Sequence, residues 1–302
     1  MTVRIFAPAK INLTLHVTGQ RSDGFHLLDS LVMFAGVGDV LTVSSSTTDQ
    51  LTVSGPEAKG VPTGAGNLVM QVVSKLWRGA PLAIHLEKSL PAAAGIGGGS
   101  ADAAACFRGL SVLLERNDPA FDTDQFADTA LRELLDVGAD IPMCMASKPA
   151  RVGGIGGQIE PLAGTLQLAI LLVNPRVSVP TPSVFKALEC RTNPAMTEMP
   201  PDMSDTSAFV DWLTKQRNDL QPAAISQAPI IATALEQIAQ TTDCLLARMS
   251  GSGATSFGLY SSEVAARLAA QQILDAHPDW WVKPTTLING EEATPQLIRA
   301  TT

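Results

Sequence analysis

Residues 90–105 read LPAAAGIGGGSADAAA and cluster four glycines directly ahead of an alanine-rich segment. Glycine loses more conformational freedom on folding than any other residue, so such a cluster costs stability unless bare backbone is needed there. Backbone N–H groups at the start of a helix, together with the positive end of the helix dipole, form an anion site that suits phosphate. Glycine lets phosphate oxygens approach these groups because it carries no Cβ. The stretch therefore predicts a phosphate-binding loop that leads into a helix.

The alternative for this stretch is a tight crossing of a helix over a sheet, with Ser100 as an ordinary helix N-cap. Four clustered glycines exceed what such a crossing requires, which favours the phosphate loop. A P-loop needs a lysine directly before its Ser or Thr, and no lysine precedes Ser100. A dinucleotide-binding fold needs an acidic residue at the end of a second strand about 20 residues further on, where this chain has a helix-end and loop sequence. Neither of these two nucleotide sites is supported.

The composition is that of a globular protein, with 302 residues, 45% hydrophobic content and 17% charged residues. A formal charge of -8 argues against a nucleic-acid partner, because binding to a phosphate backbone needs clustered Lys and Arg. The N-terminus lacks a signal-peptide pattern and no apolar run approaches ~18 residues, so we expect a cytoplasmic protein with no membrane partner. The four cysteines form no C-x-x-C pair, which predicts neither a metal site nor a disulfide framework.

The hydrophobic pattern mixes strands and helices without regular alternation, which favours the α+β fold class. Apolar and polar residues alternate over residues 11–17, the pattern of a half-buried strand. Helical spacing of apolar residues predicts one helix from residue 100 to about 115 and a second from about 124 to 136.

A glycine-rich segment at residues 150–164 is weakly patterned and predicts the junction between two domains. We place an N-terminal domain at residues 1–155 and a C-terminal domain at residues 156–302. Residues 189–209 are polar and contain prolines, which predicts an excursion over the protein surface.

Three stretches together resemble the GHMP kinases, a superfamily named for galactokinase, homoserine kinase, mevalonate kinase and phosphomevalonate kinase. The glycine stretch resembles the second motif of this superfamily, PAKINLTLHVTGQRSDGFH at 8–26 its N-terminal motif, and MSGSGATSFGLY at 249–260 its C-terminal motif. The resemblance spans nearly the whole chain and includes GADIPMCM at 138–145. It implies a two-domain GHMP kinase fold, with a ribosomal-protein-S5-like N-terminal domain, a ferredoxin-like C-terminal domain and the site between them.

The resemblance also implies an ATP-dependent small-molecule kinase that uses Mg²⁺. The activity it points to is phosphorylation of the 2-hydroxyl of 4-diphosphocytidyl-2-C-methyl-D-erythritol in the non-mevalonate pathway to isoprenoids. The expected partner is thus a small molecule with a cytidine diphosphate group, and the expected assembly is a monomer or a homodimer. Two alternatives stay open: a GHMP kinase for another small alcohol, such as mevalonate or homoserine, and a catalytically silent nucleotide-binding member.

By resemblance, Asp140 is the base that accepts the proton of the alcohol and Lys10 is its partner. From the residues alone, Asp140 would be a residue of a turn next to a helix and Lys10 a solvated charge on a strand. The resemblance assigns the ATP phosphates to a continuous segment, made of Pro91, Ala92, Ala93, Ala94, Gly95, Ile96, Gly97, Gly98, Gly99, Ser100 and Ala101.

The substrate-binding residues are also implied by the resemblance. Phe25 and Phe185 would stack on the cytosine, and His26 would read its polar edge. Asn12 would hydrogen-bond the sugar-alcohol end of the substrate. The full set is Asn12, Phe25, His26, Thr181, Pro182, Phe185, Gly251, Ser252 and Gly253.

The chain departs from the family pattern G-A-G-L-G-G-G-S-S-D-A at three positions: Ala93 replaces the first glycine, Ile96 the leucine and Ala101 the second serine. The change at 101 leaves Ser100 as the only side chain of the loop that could contact phosphate or magnesium. Asp102 is expected to supply a favourable charge near the start of the helix rather than to take part in catalysis.

Overall fold

The computed structural model describes residues 1–162, 166, 168–200 and 202–298. Strands and helices alternate irregularly along these residues, as expected for the α+β class. The strands are β1 (Thr2–Asn12), β2 (His16–Gln20), β3 (His26–Ser45), β4 (Gln50–Ser54), β5 (Leu82–Glu87), β6 (Ala150–Gly154), β7 (Gln158–Pro161), β8 (Ala169–Asn174), β9 (Cys244–Met249), β10 (Ser256–Tyr260), β11 (Trp281–Ile288) and β12 (Gln296–Ile298). The α-helices are α1 (Leu68–Leu76), α2 (Gly98–Asn117), α3 (Thr123–Leu135), α4 (Ile141–Ala146), α5 (Thr181–Lys186), α6 (Thr206–Thr214), α7 (Gln221–Gln227), α8 (Ile230–Ala239) and α9 (Glu263–Ala276), and a short 3-10 helix spans Glu291–Ala293.

The long strand β3 organises the first half of the sheet. It pairs antiparallel with β1, β2, β5, β6 and the end of β11. Most of β11 pairs instead with β8, so this single strand connects the N-terminal strands to the group formed by β8, β10 and β9. A register shift between Pro8 and Ala9 places a bulge in β1, as the proline at that position predicts.

The helices cover the sheet with apolar faces. Helix α2 packs on β1 and carries a long run of buried alanines, and Gly109 in its middle allows close contact, because a Cβ there would lie 2.8 Å from Ile5 Cδ1. On the C-terminal strands, α9 packs through small buried side chains against β8 and β11. Both predicted helices at 100–115 and 124–136 are confirmed, with α2 starting two residues earlier.

The prediction of a half-buried strand over residues 11–17 is wrong. The strand breaks after Asn12, and the side chains of Asn12, Thr14 and His16 are all buried. The segment after α5 covers Thr14 and His16: the Thr14 hydroxyl lies 2.7 Å from Met196 Sδ, and His16 Nδ1 lies 3.1 Å from the carbonyl of Pro194. Polarity in the sequence therefore indicates hydrogen bonding to this second layer rather than exposure to water.

That covering segment belongs to the stretch predicted as a surface excursion, which is only partly superficial. Met196, Met203 and Phe209 of residues 189–209 are buried in the core. The predicted domain junction at 150–164 includes residues 163–164, which lie outside the described residues, and its described part forms the β6–β7 hairpin beside β3. The division into 1–155 and 156–302 stays a prediction.

Candidate active site

A cavity of about 970 Å³ opens between the glycine stretch, the end of β1, the β2–β3 turn and α5. Most of the predicted site residues line it, although they come from six separate segments of the chain. They are Lys10, Asn12, Phe25, His26, Ala93, Ala94, Gly95, Gly97, Gly98, Gly99, Ser100, Asp140, Thr181, Pro182, Phe185, Gly251 and Ser252.

Five predicted residues are absent from this lining: Pro91, Ala92, Ile96, Ala101 and Gly253. Ile96 and Ala101 are buried in the hydrophobic core, so their side chains hold the loop in place instead of facing a ligand. Gly253 lies behind the cavity wall, where a Cβ would come within 2.8 Å of Met249 Sδ.

The glycine stretch packs against the C-terminal glycine turn, backbone to backbone. A Cβ on Gly95 would lie 2.6 Å from the carbonyl oxygen of Gly253, and a Cβ on Gly251 would lie 2.7 Å from the carbonyl oxygen of Gly95. The Thr255 N–H donates to the Ala94 carbonyl at 3.1 Å, and the Ser250 hydroxyl donates to the Gly95 carbonyl at 3.1 Å. These glycines are needed because no side chain fits between the two turns.

Helix α2 begins in the arrangement that an anion site requires. Its N-cap is Gly97, with φ +64°, and the first intrahelical bond runs from the Ala101 N–H to the Gly97 carbonyl. Within the described part of the chain, no acceptor contacts the N–H groups of Gly98, Gly99 and Ser100. Ser100 therefore lies inside the first turn, and the expectation that it could act as the N-cap is wrong.

Ala93 shows the cost of one departure from the family pattern. It adopts φ +50°, in the left-handed region where the family pattern has glycine. An L-residue with a Cβ is destabilised there by about 1–2 kcal/mol, whereas glycine is not.

An ion pair lies beside the glycine stretch, where Lys10 Nζ is 3.0 Å from Asp140 Oδ2. The same ammonium donates to Asn12 Oδ1 at 2.9 Å, and Asn12 Nδ2 donates to the Ser30 hydroxyl at 2.8 Å. Asp140 precedes α4 but makes no capping bond to it, which leaves its carboxylate available to the cavity. The Asp140 side chain is 39% exposed and that of Lys10 only 7%. The accessible carboxylate of Asp140 is therefore held by the buried ammonium of Lys10.

The opposite end of the cavity is aromatic. His26 and Phe185 stack with ring centroids 4.8 Å apart, while Phe25 is 61% exposed on the β2–β3 turn. Phe185 therefore contacts His26 rather than Phe25, and a cytosine held between Phe25 and Phe185 stays a prediction. Burial, with a smaller effect of the nearby Arg191 charge, lowers the pKa of His26 below its usual range, and its Nε2 is buried without a partner in the described residues. A neutral imidazole with a free nitrogen suits recognition of a polar edge.

Two cations of the cavity were missed by the sequence analysis. Lys186 ends α5 and Arg191 follows it, and both line the cavity. Among the described residues no carboxylate lies within 4 Å of either side chain's nitrogens. Lys186 directly follows the predicted Phe185, which could have drawn attention to it, whereas no sequence signal marks Arg191.

The expectation for Asp102 is also wrong. Instead of acting mainly on the helix dipole, its carboxyl group is buried and lies 2.8 Å from Lys88 Nζ. Across the described ranges, no group of three or more His, Cys, Asp or Glu side chains is arranged to hold a metal ion. None of the helices described is both long and apolar enough to cross a membrane.

Fold and site together define a phosphotransferase that acts on small molecules, and comparison with known families agrees. Residues 67–148 match the model of the GHMP kinases N terminal domain, and residues 201–279 match that of the GHMP kinases C terminal domain. The chain belongs to the GHMP kinases. This membership confirms the predicted two-domain α+β fold and the predicted enzyme class, an ATP-dependent small-molecule kinase.

Individual relatives are more specific. The chain is 51% identical over 296 residues to the 4-diphosphocytidyl-2-C-methyl-D-erythritol kinase of Roseobacter denitrificans, covering 98% of this chain and 97% of the relative. It is also 51% identical over 284 residues to the enzyme of the same name from Dinoroseobacter shibae, covering 93% and 94%.

Solved structures extend the likeness to the fold. A crystal structure of 4-(cytidine 5'-diphospho)-2C-methyl-D-erythritol kinase superposes with a TM-score of 0.72 at 27% identity, over 95% of this chain and 100% of that one. A homoserine kinase from Cytophaga hutchinsonii has the same fold, with a TM-score of 0.66 at 17% identity over 98% and 97% of the two chains.

Proposed function

We propose that this kinase transfers the γ-phosphate of ATP to the 2-hydroxyl of 4-diphosphocytidyl-2-C-methyl-D-erythritol. The observation that carries the proposal is a single cavity with three parts: helix amides at one end, the Lys10–Asp140 pair beside them, and the His26–Phe185 platform at the other end. Relatives about half identical over nearly the whole chain bear the name of this activity.

At the phosphate end, the N–H groups of Gly98, Gly99 and Ser100 would bind the oxygens of the ATP phosphates at the positive end of α2. Mg²⁺ is commonly held by one or two protein oxygens together with substrate phosphates. The Ser100 hydroxyl, which lines the cavity, would supply one such oxygen. Mg²⁺ bound there would neutralise charge on the phosphates.

The proton of the alcohol goes to Asp140. As the alcohol oxygen forms its bond to the γ-phosphorus, the bond from that phosphorus to the β–γ bridging oxygen breaks and ADP leaves. The Asp140 carboxylate accepts the hydroxyl proton in this step and can release it to water, because its side chain is partly exposed. The Lys10 ammonium orients the carboxylate and stabilises negative charge that develops on the transferring group. The Asn12 side chain, which is held by Lys10 and Ser30, would place its amide beside the hydroxyl of the substrate.

The other end of the cavity supports a cytidine diphosphate group. Phe185 and the neutral His26 form a stacked pair against which the base could stack. Lys186 and Arg191 are cations that pair with no carboxylate of the described residues, which favours an anionic group such as a diphosphate between base and alcohol. Mevalonate and homoserine carry neither a nucleobase nor a diphosphate, so neither the aromatic pair nor the two cations would contact them.

The test is turnover of the purified enzyme with Mg-ATP and, in separate reactions, the cytidylyl alcohol, mevalonate and homoserine. The expected result is ADP release with one phosphate gained by the cytidylyl alcohol alone, detected by mass. Turnover of another alcohol in its place would overturn the substrate, and no turnover with any would favour a catalytically silent member.

A variant of the aromatic platform makes the substrate test sharper. Phe185→Leu should raise KM for the cytidylyl alcohol about tenfold, since stacking of a base on an aromatic ring contributes about 1–3 kcal/mol. The KM of the Phe185→Leu variant for ATP should not change. Phe121→Leu is the matched control, because Phe121 stacks edge-on against Phe126 and is not among the residues that line the cavity.

A further inference from the structure

Behind the glycine stretch lies a buried ion cluster made of Lys88, Asp39 and Asp102. The Lys88 ammonium pairs with Asp39 Oδ2 and lies 2.8 Å from Asp102 Oδ2. All three side chains are almost completely shielded from solvent. None of them lines the cavity, so none can contact a ligand there.

The cluster connects the two ends of the glycine stretch. At its entrance, Asp39 Oδ1 accepts the N–H groups of Ser89 at 2.6 Å and Leu90 at 2.9 Å. At its exit, Asp102 belongs to the second turn of α2. Lys88 bridges the two carboxylates, so one ammonium closes the base of the loop between residues 90 and 98.

The cluster also lies directly beneath the start of the helix. A Cβ on Gly98 would be 3.6 Å from Lys88 Nζ, which places the ammonium against the first residue of α2. The middle of the loop is held separately, because the Lys10 N–H donates to the Ile96 carbonyl at 2.9 Å. The loop is thus fixed at its entrance, centre and exit, and the amides between centre and exit are the ones that face the cavity.

A contribution to the stability of the fold does not explain why charged rather than apolar side chains are buried here. Burying an ion costs several kcal/mol, and well-packed apolar residues of similar size are often as stabilising as a buried ion pair. What apolar residues lack is direction, because a carboxylate with two backbone N–H donors and an ammonium fixes both distance and orientation. Three ionisable groups at the base of one loop therefore indicate control of loop geometry.

We propose that Lys88, Asp39 and Asp102 are positioning residues for ATP: the buried cluster holds the two ends of the glycine stretch at the separation that aims the amides of Gly98, Gly99 and Ser100 at the phosphates. This role depends on ATP binding by the loop, which the kinase family implies, and not on which alcohol is phosphorylated.

The test compares two substitutions of Asp102, measured as ADP affinity by calorimetry and as the KM values for both substrates. Asp102→Asn keeps an acceptor for Lys88 and should bind ADP within about twofold of the wild type, whereas Asp102→Ala removes the acceptor and should weaken ADP binding about tenfold. CDP affinity and the KM for the alcohol should stay unchanged in both variants. Asp39→Asn replaces one of the two acceptor oxygens by an N–H₂ group, which faces either Lys88 or the backbone N–H groups of the loop. This variant should weaken ADP binding at least as much as Asp102→Ala.

The control is Tyr260→Phe, which removes a buried 2.7 Å hydrogen bond to Thr241 in the C-terminal layer. It should lower stability without changing ADP affinity. The proposal is overturned if Asp102→Ala binds ADP as tightly as Asp102→Asn, or if ADP and CDP affinities fall together. Absence of CDP binding by the wild type would overturn the proposed substrate instead, and the ADP comparison would still decide the role of the cluster.

Discussion

Two lysines in this enzyme each contact a carboxylate at about hydrogen-bond distance, and their surroundings differ completely. Lys10 pairs with Asp140, whose side chain opens into the cavity. Lys88 pairs with Asp39 and Asp102, and neither of these carboxylates reaches solvent. The same residue types thus form an accessible pair at the cavity in one place and a buried cluster bonded to the backbone in the other.

The difference shows that access decides the role of an ion pair. A base must exchange its proton with a substrate and then with water, so its carboxylate has to be reachable from both. The Lys88 cluster meets neither condition. Its groups instead satisfy backbone N–H donors at the loop entrance, where a fixed direction matters more than exchange.

The largest expected effect tests the accessible pair. Asp140→Asn should lower kcat about 10³-fold, because it removes the proton acceptor, and general bases contribute about 10²–10⁴-fold. Stability should change little, since Asp140 makes no capping bond to α4. The measurement is steady-state kinetics with saturating substrates, with Asp136→Asn at the end of α3 as the control. Retention of kcat within tenfold of the wild type would contradict the assignment of the base.

The second prediction compares the replacement of each lysine by methionine. Lys88→Met should destabilise the fold by about 3–5 kcal/mol, because it leaves the buried carboxylate of Asp39 without its cation and buried Asp102 without its partner. Lys10→Met should cost much less stability, since Asp140 can still be hydrated, while lowering kcat about 10²-fold through lost charge stabilisation. Denaturant titration and turnover of both variants check this. Equal stability losses would show that burial does not separate the two pairs.

The third prediction concerns pH and the buried cluster alone. Burial, together with repulsion from Asp39, raises the pKa of Asp102 to about 8 despite the attraction of Lys88. Of the other groups facing it, Cys144 on α4 stays neutral because burial raises the pKa of its thiol to about 12. Unfolded Asp102 is ionised well below pH 8, so the protein takes up a proton on folding between the two pKa values, and stability falls as pH rises through that window.

Asp102→Asn provides the reference, because it cannot take up that proton. The free energy of unfolding of the wild type, minus that of the variant, should decrease as pH rises from 5 to 8. Denaturant titrations at several pH values measure this difference. A difference that stays constant over the window would mean that Asp102 is ionised in the folded protein, and the cluster would then carry a net negative charge.

The smallest expected effects come from the backbone of the glycine stretch. Gly97→Ala puts a Cβ at φ +64°, 3.1 Å from Lys10 Cε, and should cost about 1–2 kcal/mol of stability as well as activity. Ala93→Gly, at φ +50°, relieves a comparable strain but raises the conformational entropy of the unfolded chain. The stability of this variant should therefore stay within about 1 kcal/mol of the wild type. Thermal melts of the two variants check both values. A large loss for Ala93→Gly would show that its methyl group contributes packing.

Prediction from the sequence succeeded where the signal is local. The glycine cluster followed by an alanine run specified a helix start with open amides, and the structure has α2 beginning there. It failed for Asn12, Thr14 and His16, because alternation reports one sheet face and not a second layer placed over it. It also took Asp102 for a charge that favours the helix start, since a helix position does not reveal that Lys88 and Asp39 lie beside it.

The sequence by itself determined the class of this protein, because its three motifs resemble those of the GHMP kinases and their glycines are needed where two backbone turns are in close contact. Only the tertiary structure decided which of these groups meet. Lys10 reaches Asp140 across 130 residues of chain, Phe185 stacks on His26, and Arg191 turns into the cavity because of how the layers pack. The physical reason is that local backbone preference is encoded within a few residues, whereas burial and the contacts between distant side chains arise only when the whole core has formed.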